Sequence, residues 1–366
     1  MPDSERRQSG GDTYSSRAYY DSADRRGPAR TLRFLKAHST EYLSGRDLGD
    51  VLGISRVAVW KHIRTLRSLG YDIESRQKVG YRLRGSSGEP YPWEITEGIG
   101  TGTVGRRAYY YDDVGTAGST QDVAAALAGT PGNDGAVVIS ATQSNARGRI
   151  GKRWASPRGG IWMSVVLHPD CRASAASLLP IAAGVAVAES IEEACGIKPE
   201  LRWPNDVTIQ GRKVAGIITE AEMELDRIQN VRLGIGVNFD VDAKSIEKTF
   251  AGTPGFYGAA SLKQEAESAG APRTPSKVVL VRGMLRRLDA AYGMLLGGRT
   301  KAITSEWAKR SSTIGRTVTG TVDGQRVTGT ATRINDSGML VVRTDGPGRG
   351  GRRQVELMAG SLEYAT

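Results

Sequence analysis

Apolar residues recur at helical spacing in the first part of the chain. Leu32 and Leu35 indicate a first short helix, and Ser44 is suited to cap a second helix that ends before Gly53. A third helix, 56–69, carries its aliphatic side chains at a spacing of three and four residues, on one face. The pattern therefore predicts three helices in quick succession.

Two short alternating runs, 71–75 and 80–84, come next and predict a β-hairpin. Three short helices followed by a hairpin predict a winged helix-turn-helix domain over residues 29–84. Its third helix and hairpin turn carry the side chains that we predict to contact DNA, namely Ser55, Arg56, Trp60, Lys61, Arg64 and Lys78. The other reading, a winged helix that binds a protein, stays open.

The patterning changes three more times along the chain. Residues 85–106, rich in glycine, serine and proline, predict a linker. Strands and helices then alternate over 107–312, which predicts a central α/β domain with a mixed sheet. From 313 to 366, valine and threonine alternate between glycine turns, which predicts a small β-barrel. Residues 1–28 have few aliphatic side chains and predict a disordered tail. Taken together, the three predicted domains give the fold class α+β.

The positive charge of the chain is concentrated in its N-terminal part. The 366 residues carry a net charge of +11, and residues 1–84 hold seventeen Lys or Arg against ten Asp or Glu. Such an excess indicates a polyanionic partner and makes the N-terminal part the expected nucleic-acid face. Cys171 and Cys195, the only cysteines, provide neither a disulfide framework nor a zinc site, and the three scattered histidines predict no tightly bound metal. No apolar run is long enough for a membrane span and no signal peptide is visible, so we expect a cytoplasmic protein.

The strongest candidate for chemistry is the stretch 143–154, Q-S-N-A-R-G-R-I-G-K-R-W. Four basic residues surround Gly148 and Gly151, directly after an apolar run that predicts a strand. Glycine allows backbone N–H groups to approach a ligand, and arginine offers a bidentate fork to carboxylate or phosphate. The stretch therefore predicts an anion-binding loop, although on its own it also fits a solvated basic turn.

Three further motifs follow at the ends of predicted strands. They are R-W-P-N-D at 202–206, K-V-A-G-I at 213–217 and L-G-I-G-V-N at 233–238. A turn that presents an amide and a carboxylate, a lysine that opens a buried strand and a glycine-rich strand are each common alone. Their combination is specific.

In chain order, S-T-x, Q-x-x-x-R-G-R-x-G-x-x-W, W-P-N-D, R-K-x-A-G-I and G-x-G-x-N resemble biotin protein ligases of the bifunctional repressor type. The resemblance covers residues from about 29 to 364. It implies a class II synthetase-like catalytic domain and a C-terminal SH3-like β-barrel. It also implies a ligase that forms biotinyl-5′-adenylate from biotin and ATP with Mg²⁺, and then biotinylates a lysine of a biotin carboxyl carrier domain. The implied second activity is repression of biotin-synthesis genes by an adenylate-bound homodimer on operator DNA.

The resemblance also implies roles for individual residues. Those expected to contact biotin are Ser119, Thr120, Gln121, Gln143, Arg147, Gly148, Arg149, Lys213 and Gly216. Those expected on the nucleotide side are Arg149, Lys152, Trp154, Asn205, Asp206 and Asn238. The catalytic set is Lys213, Arg149 and Arg147, in which Lys213 bridges the biotin carboxylate and the α-phosphate.

Three positions depart from the family pattern. Gln121 replaces the asparagine of Ser-Thr-Asn, Ala146 replaces the first glycine of the G-R-G-R motif, and Arg202 replaces the lysine of K-W-P-N-D. Alanine disfavours a positive φ, and arginine keeps the charge of lysine with a different geometry. These departures leave open a biotin-sensing repressor with impaired ligase activity. Lipoate–protein ligase, which resembles the catalytic fold, is the second alternative.

Overall fold

The computed structural model describes residues 19–21, 27–106, 108–112, 115, 117–224, 227–253, 255–272, 275–322, 324–345, 352–358 and 362–364. Within these residues, no helix combines the length and the apolar character needed to cross a membrane.

The N-terminal part folds as the predicted winged helix-turn-helix. Its elements are α1 (Pro28–Ala37), α2 (Gly45–Leu52), α3 (Arg56–Ser68), β2 (Asp72–Arg76) and β3 (Gly80–Gly85). Ser44 and Ser55 cap α2 and α3, since each hydroxyl accepts a hydrogen bond from a backbone N–H three residues later. Val59, Ile63 and Leu66 of α3 are buried, as the helical periodicity requires.

Part of the predicted disordered tail is instead a strand. Residues 19–21 form β1 (Tyr19–Asp21), which pairs antiparallel with β4 (Tyr109–Asp112) at the edge of the central sheet. Backbone pairing to an open sheet edge needs no buried side chain, and composition therefore gives no sign of it. Residues 1–18 and 22–26 of the predicted tail lie outside the described residues.

The predicted linker, 85–106, is packed rather than extended. It contains α4 (Pro92–Ile95), and Tyr91 and Ile95 are fully buried. The Tyr91 ring stacks on Trp93 and meets the Tyr111 ring edge-on, each at a centroid distance of 5.0 Å. Burial of these aromatic side chains outweighs the flexible composition around them.

An eight-stranded mixed sheet forms the centre of the chain. Its strands after β1 and β4 are β5 (Val137–Ser140), β6 (Ile161–Leu167), β7 (Glu200–Arg202), β8 (Asp206–Ile209), β9 (Arg212–Glu224) and β10 (Arg227–Val237). The strand order is β1-β4-β5-β6-β10-β9-β8-β7, and the β4–β5 pair alone is parallel among the described strands. Residues 200–209 form a tight hairpin of β7 and β8, because the W-P-N-D motif turns the chain.

The helices of this part of the chain are α5 (Thr120–Ala128), α6 (Ala173–Ala176), α7 (Leu179–Cys195), α8 (Ala243–Phe250), α9 (Leu262–Ser268), α10 (Lys277–Leu296) and α11 (Thr300–Lys309). Two of them, α5 and α7, pack directly on the central sheet. The long helix α7 is buried along most of its length, and α10 and α11 pack on it. Ser119 caps α5 and brings the Ser-Thr-Gln motif to the sheet.

The C-terminal strands do not confirm the predicted SH3-like β-barrel. The strands are β11 (Thr317–Val322), β12 (Gln325–Ile334), β13 (Leu340–Asp345), β14 (Arg352–Leu357) and β15 (Glu363–Tyr364). They form an open antiparallel sheet in the order β14-β13-β12-β11-β15. The edge strand β15 pairs with β11 over only two residues and, in the described part of the chain, does not pair with β14 to close a barrel.

Candidate active site and nucleic-acid interface

A cavity of about 550 Å³ opens on the central sheet, between the basic loop 143–154 and the turn after β7. All residues predicted to bind biotin or nucleotide line it, and they come from segments far apart in sequence. Strands β9 and β10 form its floor, where Gly216, Gly234 and Gly236 line the cavity. The tertiary structure therefore unites the motifs in one space, while the role of each residue in ligand binding stays a prediction.

At one end, the cavity is lined by uncharged polar groups. Oε1 of Gln143 accepts hydrogen bonds from the backbone N–H of Thr120 at 2.7 Å and from its hydroxyl at 3.1 Å. The Thr120 hydroxyl also lies 2.8 Å from the Ser164 hydroxyl, and Nε2 of Gln143 donates to Ser156 Oγ at 2.9 Å. This network fixes the amide of Gln143.

Gln121, the first departure from the family pattern, lies in the same end. Its Nε2 donates to the backbone oxygen of Arg232 at 3.3 Å, whereas its Oε1 is buried without a hydrogen-bond partner among the described residues. A buried carbonyl oxygen without a partner is unfavourable. The longer side chain therefore leaves an acceptor available to a ligand with an N–H group.

The basic loop doubles back on itself, so that the residues before and after a short turn pair with each other. Isolated bridges join Gln143 to Ser156 and Arg147 to Arg153, and a 3₁₀ turn spans 149–151. Within that turn Ile150 has a φ of 54° and is exposed. Ala146 does not adopt a positive φ, so alanine fits the place of the family glycine without backbone strain.

Arg147 is committed to acidic partners. Its guanidinium donates to both carboxylate oxygens of Glu220 on β9, at 2.6 and 3.1 Å, and to Asp122 of α5 at 2.8 Å. The hydrogen bonds and the charge of Glu220 raise the pKa of Arg147 above its ordinary value. The predicted catalytic contact would therefore require an anion to replace these carboxylates, and the motif gave no indication of either partner.

Arg149 takes a different position. Its Nη1 donates to Asn205 Oδ1 at 3.1 Å, and Nδ2 of Asn205 donates to the backbone oxygen of Ile217 at 2.7 Å. Burial lowers the pKa of Arg149, and the charge of Asp206 partly offsets the effect. Arg149 is thus a partly desolvated cation that is held against the W-P-N-D turn by an amide and not by a carboxylate.

Lys213 and Asp206 form an ion pair inside the cavity. Nζ of Lys213 lies 2.5 Å from Asp206 Oδ1 and 5.0 Å from the centroid of the Trp154 ring. The second carboxylate oxygen, Oδ2, accepts a hydrogen bond from the Tyr257 hydroxyl at 2.7 Å. Sequence reasoning missed Tyr257, which belongs to none of the motifs.

Two glycines make room for Trp154. A β-carbon on Gly236 would lie 2.7 Å from Trp154 Nε1, and one on Gly216 would lie 3.1 Å from its Cζ3. The ring also packs edge-on against Trp162. Trp154 therefore lies over the glycine floor of the cavity, next to Lys213.

Asn238 supports the frame of the site. It is buried, its Nδ2 donates to the backbone oxygen of Lys213 at 3.3 Å, and its Oδ1 has no partner among the described residues. It thereby links the end of β10 to the start of β9. Its predicted position beside the nucleotide remains a prediction.

The described residues contain no group of three or more His, Cys, Asp or Glu side chains placed to hold a metal ion. Asp206 and Asn205 line the cavity and carry side-chain oxygens that could bind a metal ion. These oxygens already contact Lys213, Tyr257 and Arg149. A cation that enters with ATP would therefore take its ligands mainly from phosphate and water.

The residues predicted to contact DNA lie on an exposed face of the winged helix. Arg56, Lys61 and Arg64 of α3 are exposed, and the guanidinium of Arg64 lies 5.7 Å from the centroid of the half-exposed Trp60 ring. Ser55 is occupied as the α3 cap. Lys78, at the hairpin turn, is exposed with a φ of 63°.

Two other arginines in this domain have structural partners. Arg67 donates to the backbone oxygen of Ile73 and to Ser75 Oγ, which ties α3 to the hairpin. Arg82 forms an ion pair with Glu74 and lies over the Tyr42 ring. Both arginines are therefore engaged in contacts within the domain.

Comparison with known proteins assigns the chain to a family. Residues 118–238 match the Biotin/lipoate A/B protein ligase family, and residues 29–82 match an HTH domain. The biotin--[acetyl-CoA-carboxylase] ligase of Mycobacterium tuberculosis is 31% identical over 73% of this chain and 92% of that protein. The chain belongs to the biotin/lipoate A/B protein ligase family.

Other similar proteins include a relative named for two activities and a solved structure. The bifunctional ligase/repressor BirA of Bacillus subtilis is 42% identical over 54% of this chain, and the match spans 60% of that relative's length. A biotin protein ligase from Aquifex aeolicus, solved with biotin and ATP, covers 70% of this chain and 98% of its own, with a TM-score of 0.54 and 22% identity. This likeness confirms a biotin ligase-like catalytic fold.

Proposed function

We propose that this protein is an ATP-dependent biotin protein ligase that also represses transcription. In the first step the biotin carboxylate attacks the α-phosphate of ATP, which gives biotinyl-5′-adenylate and pyrophosphate. In the second step a lysine of a biotin carboxyl carrier domain attacks the adenylate and releases AMP. The observation that supports this proposal most is the single cavity in which Lys213, Arg149, Gln143 and Asn238 converge.

The side chains of the cavity fit the first step. Attack of a carboxylate on a phosphate brings two anions together, and fixed cations are needed to offset their repulsion. Lys213 pairs with Asp206, Arg149 is held by the neighbouring Asn205, and both cations line the cavity. We infer that Lys213 bridges the biotin carboxylate and the α-phosphate and that Arg149 contacts the same phosphate. Mg²⁺ that enters with ATP would neutralise the leaving pyrophosphate.

The polar end of the cavity fits biotin. Its donors and acceptors, Ser119, Thr120, Gln121 and Gln143, are positioned by the cap of α5 and by hydrogen bonds with one another. A hydrogen-bonded wall of this kind suits an uncharged ring that carries both N–H and carbonyl groups. This end is also what favours biotin over lipoate, whose dithiolane ring has no N–H or carbonyl group.

The winged helix supports a second activity at operator DNA. The exposed face of α3 presents arginine and lysine without acidic side chains, as a recognition helix in a major groove requires. We propose that two copies associate when the adenylate orders the loop 143–154, and that the dimer binds an inverted repeat. We also propose residues 29–84, 107–312 and 313–366 as the three domains, and a cytoplasmic location in which ATP and carrier protein are available.

Incubation of the protein with biotin, ATP, Mg²⁺ and a carrier domain tests the ligase activity. Mass spectrometry of the carrier and chromatography of the nucleotides should detect biotinyl-lysine, AMP and pyrophosphate. Adenylate without carrier biotinylation would favour a biotin-sensing repressor with impaired ligase activity. In a parallel incubation with lipoate in place of biotin, transfer of lipoate but not biotin would favour the lipoate ligase, and the absence of every product would refute the ligase proposal.

A further inference from the structure

A tyrosine outside all the sequence motifs contacts the central ion pair of the site. The Tyr257 hydroxyl donates to Asp206 Oδ2 at 2.7 Å, and Lys213 Nζ lies 2.5 Å from the other oxygen, Oδ1. One carboxylate thus has its two oxygens fixed by two different partners. Without the tyrosine, the carboxylate could rotate about its terminal bond, and the ammonium group of Lys213 would move with it.

The proton of this hydrogen bond belongs to the tyrosine. Burial raises the pKa of Tyr257 far above its ordinary value, and the negative charge of Asp206 raises it further. Tyr257 therefore stays protonated throughout the working pH range and can only donate to the carboxylate.

The Tyr257 ring is held by Arg202. The Arg202 guanidinium lies 3.7 Å from the centroid of the Tyr257 ring and 3.8 Å from that of Tyr364, which belongs to the C-terminal sheet. A planar guanidinium can stack on two aromatic faces at once, whereas a lysine ammonium has no flat faces. The arginine in place of the family lysine thus has a structural use in this chain.

The backbone fixes the distance between Tyr257 and Lys213. The Lys213 N–H donates to the backbone oxygen of Gly258 at 3.2 Å, and the N–H of Ala260 donates to the backbone oxygen of Lys213 at 2.8 Å. Residues 258–260, which directly follow Tyr257, therefore run beside the start of β9. Its hydroxyl reaches Asp206 from a frame that also holds Lys213.

We propose that Tyr257 is a positioning residue for adenylate formation, which holds Asp206 and thereby places the ammonium group of Lys213 at the reacting carboxylate and phosphate. The sandwich of Arg202 between Tyr257 and Tyr364 holds the ring, and so connects the C-terminal sheet to the chemistry. This inference rests on the proposed ligase function.

The test compares Tyr257→Phe with the wild type in single-turnover formation of biotinyl adenylate, under saturating biotin and ATP. The variant keeps the ring on Arg202 and removes only the hydroxyl. Loss of a hydrogen bond to a charged group predicts a rate at least about tenfold lower. Biotin affinity, measured by calorimetry, should change by less than about threefold, since the hydrogen bond of the hydroxyl among the described residues goes to Asp206. Tyr292→Phe is the matched control, because Tyr292 is also buried and faces an aspartate, Asp134, away from the cavity.

A double-mutant cycle with Asp206→Asn separates positioning from general stability. If Tyr257 acts through Asp206, Tyr257→Phe should lower the rate of the wild type but change that of Asp206→Asn by less than about twofold. Multiplicative losses, a wild-type rate in Tyr257→Phe, or an equal loss in Tyr292→Phe would each overturn the positioning role while the ligase function stands. A wild-type protein that forms no adenylate would refute the ligase proposal, and the positioning role with it.

Discussion

Replacement of Lys213 by alanine is the most direct test of the proposed chemistry. Nζ of Lys213 lies 2.5 Å from Asp206 Oδ1, and 24% of the Lys213 side chain is exposed to solvent. Removal takes a positive charge out of the cavity and leaves the Asp206 carboxylate facing two incoming anions. We expect adenylate formation to be lost and the fold to survive, because the Tyr257 hydrogen bond to Asp206 remains.

The size of the loss follows from the charge. A unit charge about 4 Å from a phosphate oxygen contributes about 4 kcal/mol at an effective dielectric constant of about 20. Each 1.4 kcal/mol, roughly, corresponds to a tenfold change in rate, so the rate should fall by about a thousandfold. The effect should appear in the rate of the first step, since the cation stabilises charge that develops during the attack.

The assay is single-turnover conversion of α-labelled ATP to biotinyl adenylate. Lys263→Ala is the matched control, because Lys263 also pairs with an aspartate, Asp240 at 2.9 Å, but outside the cavity. It should react at the wild-type rate, and both variants should unfold near the wild-type temperature. Adenylate formation by Lys213→Ala within about tenfold of the wild type would refute the bridging role.

Three further predictions concern the cavity floor, the DNA face and the hairpin. Gly236→Ala places a methyl group 2.7 Å from Trp154 Nε1 and should weaken calorimetric binding of biotin with a non-hydrolysable ATP analogue by about tenfold, as overpacking does. Arg64→Ala, on the exposed face of α3, should weaken operator binding in gel shifts and lower the slope against salt by about 1. The Tyr42 hydroxyl nearby, together with hydrogen bonds from Arg82 and Arg76, lowers the pKa of Glu74 from 4.5 to about 2. A carboxyl group whose pKa is lower in the folded than in the unfolded state stabilises the fold at pH values above its unfolded-state pKa. This stabilisation is lost as the pH falls through its folded-state pKa. The difference in unfolding free energy between the wild type and Glu74→Gln should therefore shrink from pH 4.5 towards pH 2.

A control variant or a contradicting result accompanies each of these three predictions. Gly293→Ala, in α10, places a methyl group in open space and should leave ligand affinity unchanged. Arg326→Ala, on the C-terminal sheet, should leave the salt slope unchanged, and an equal effect from both arginines would contradict the DNA face. A difference for Glu74→Gln that is constant with pH would show that its carboxylate has no special partner in the fold.

Local signals in the sequence determined the winged helix and the motifs of the site. Ser55 caps α3 through a hydrogen bond within three residues, and the aliphatic stripe of that helix depends only on its own spacing. The loop 143–154 and the turn at 202–206 are likewise defined by a few neighbouring residues. Backbone preference and periodicity act over short distances, and a single sequence displays them directly.

The tertiary structure alone decided the partners of the charges. Arg147 faces Glu220 because β9 brings position 220 beside the loop, and Arg202 lies between tyrosines that come from two remote segments. No local pattern relates such positions, since their distance depends on sheet order and strand register. The same holds for the packed segment 85–106, the strand at 19–21 and the open C-terminal sheet. The sequence by itself thus determined which chemical groups this protein has for an anionic ligand. The fold decided which of those groups are neutralised and which face the cavity, because pairing depends on distances in space that no spacing along the chain encodes.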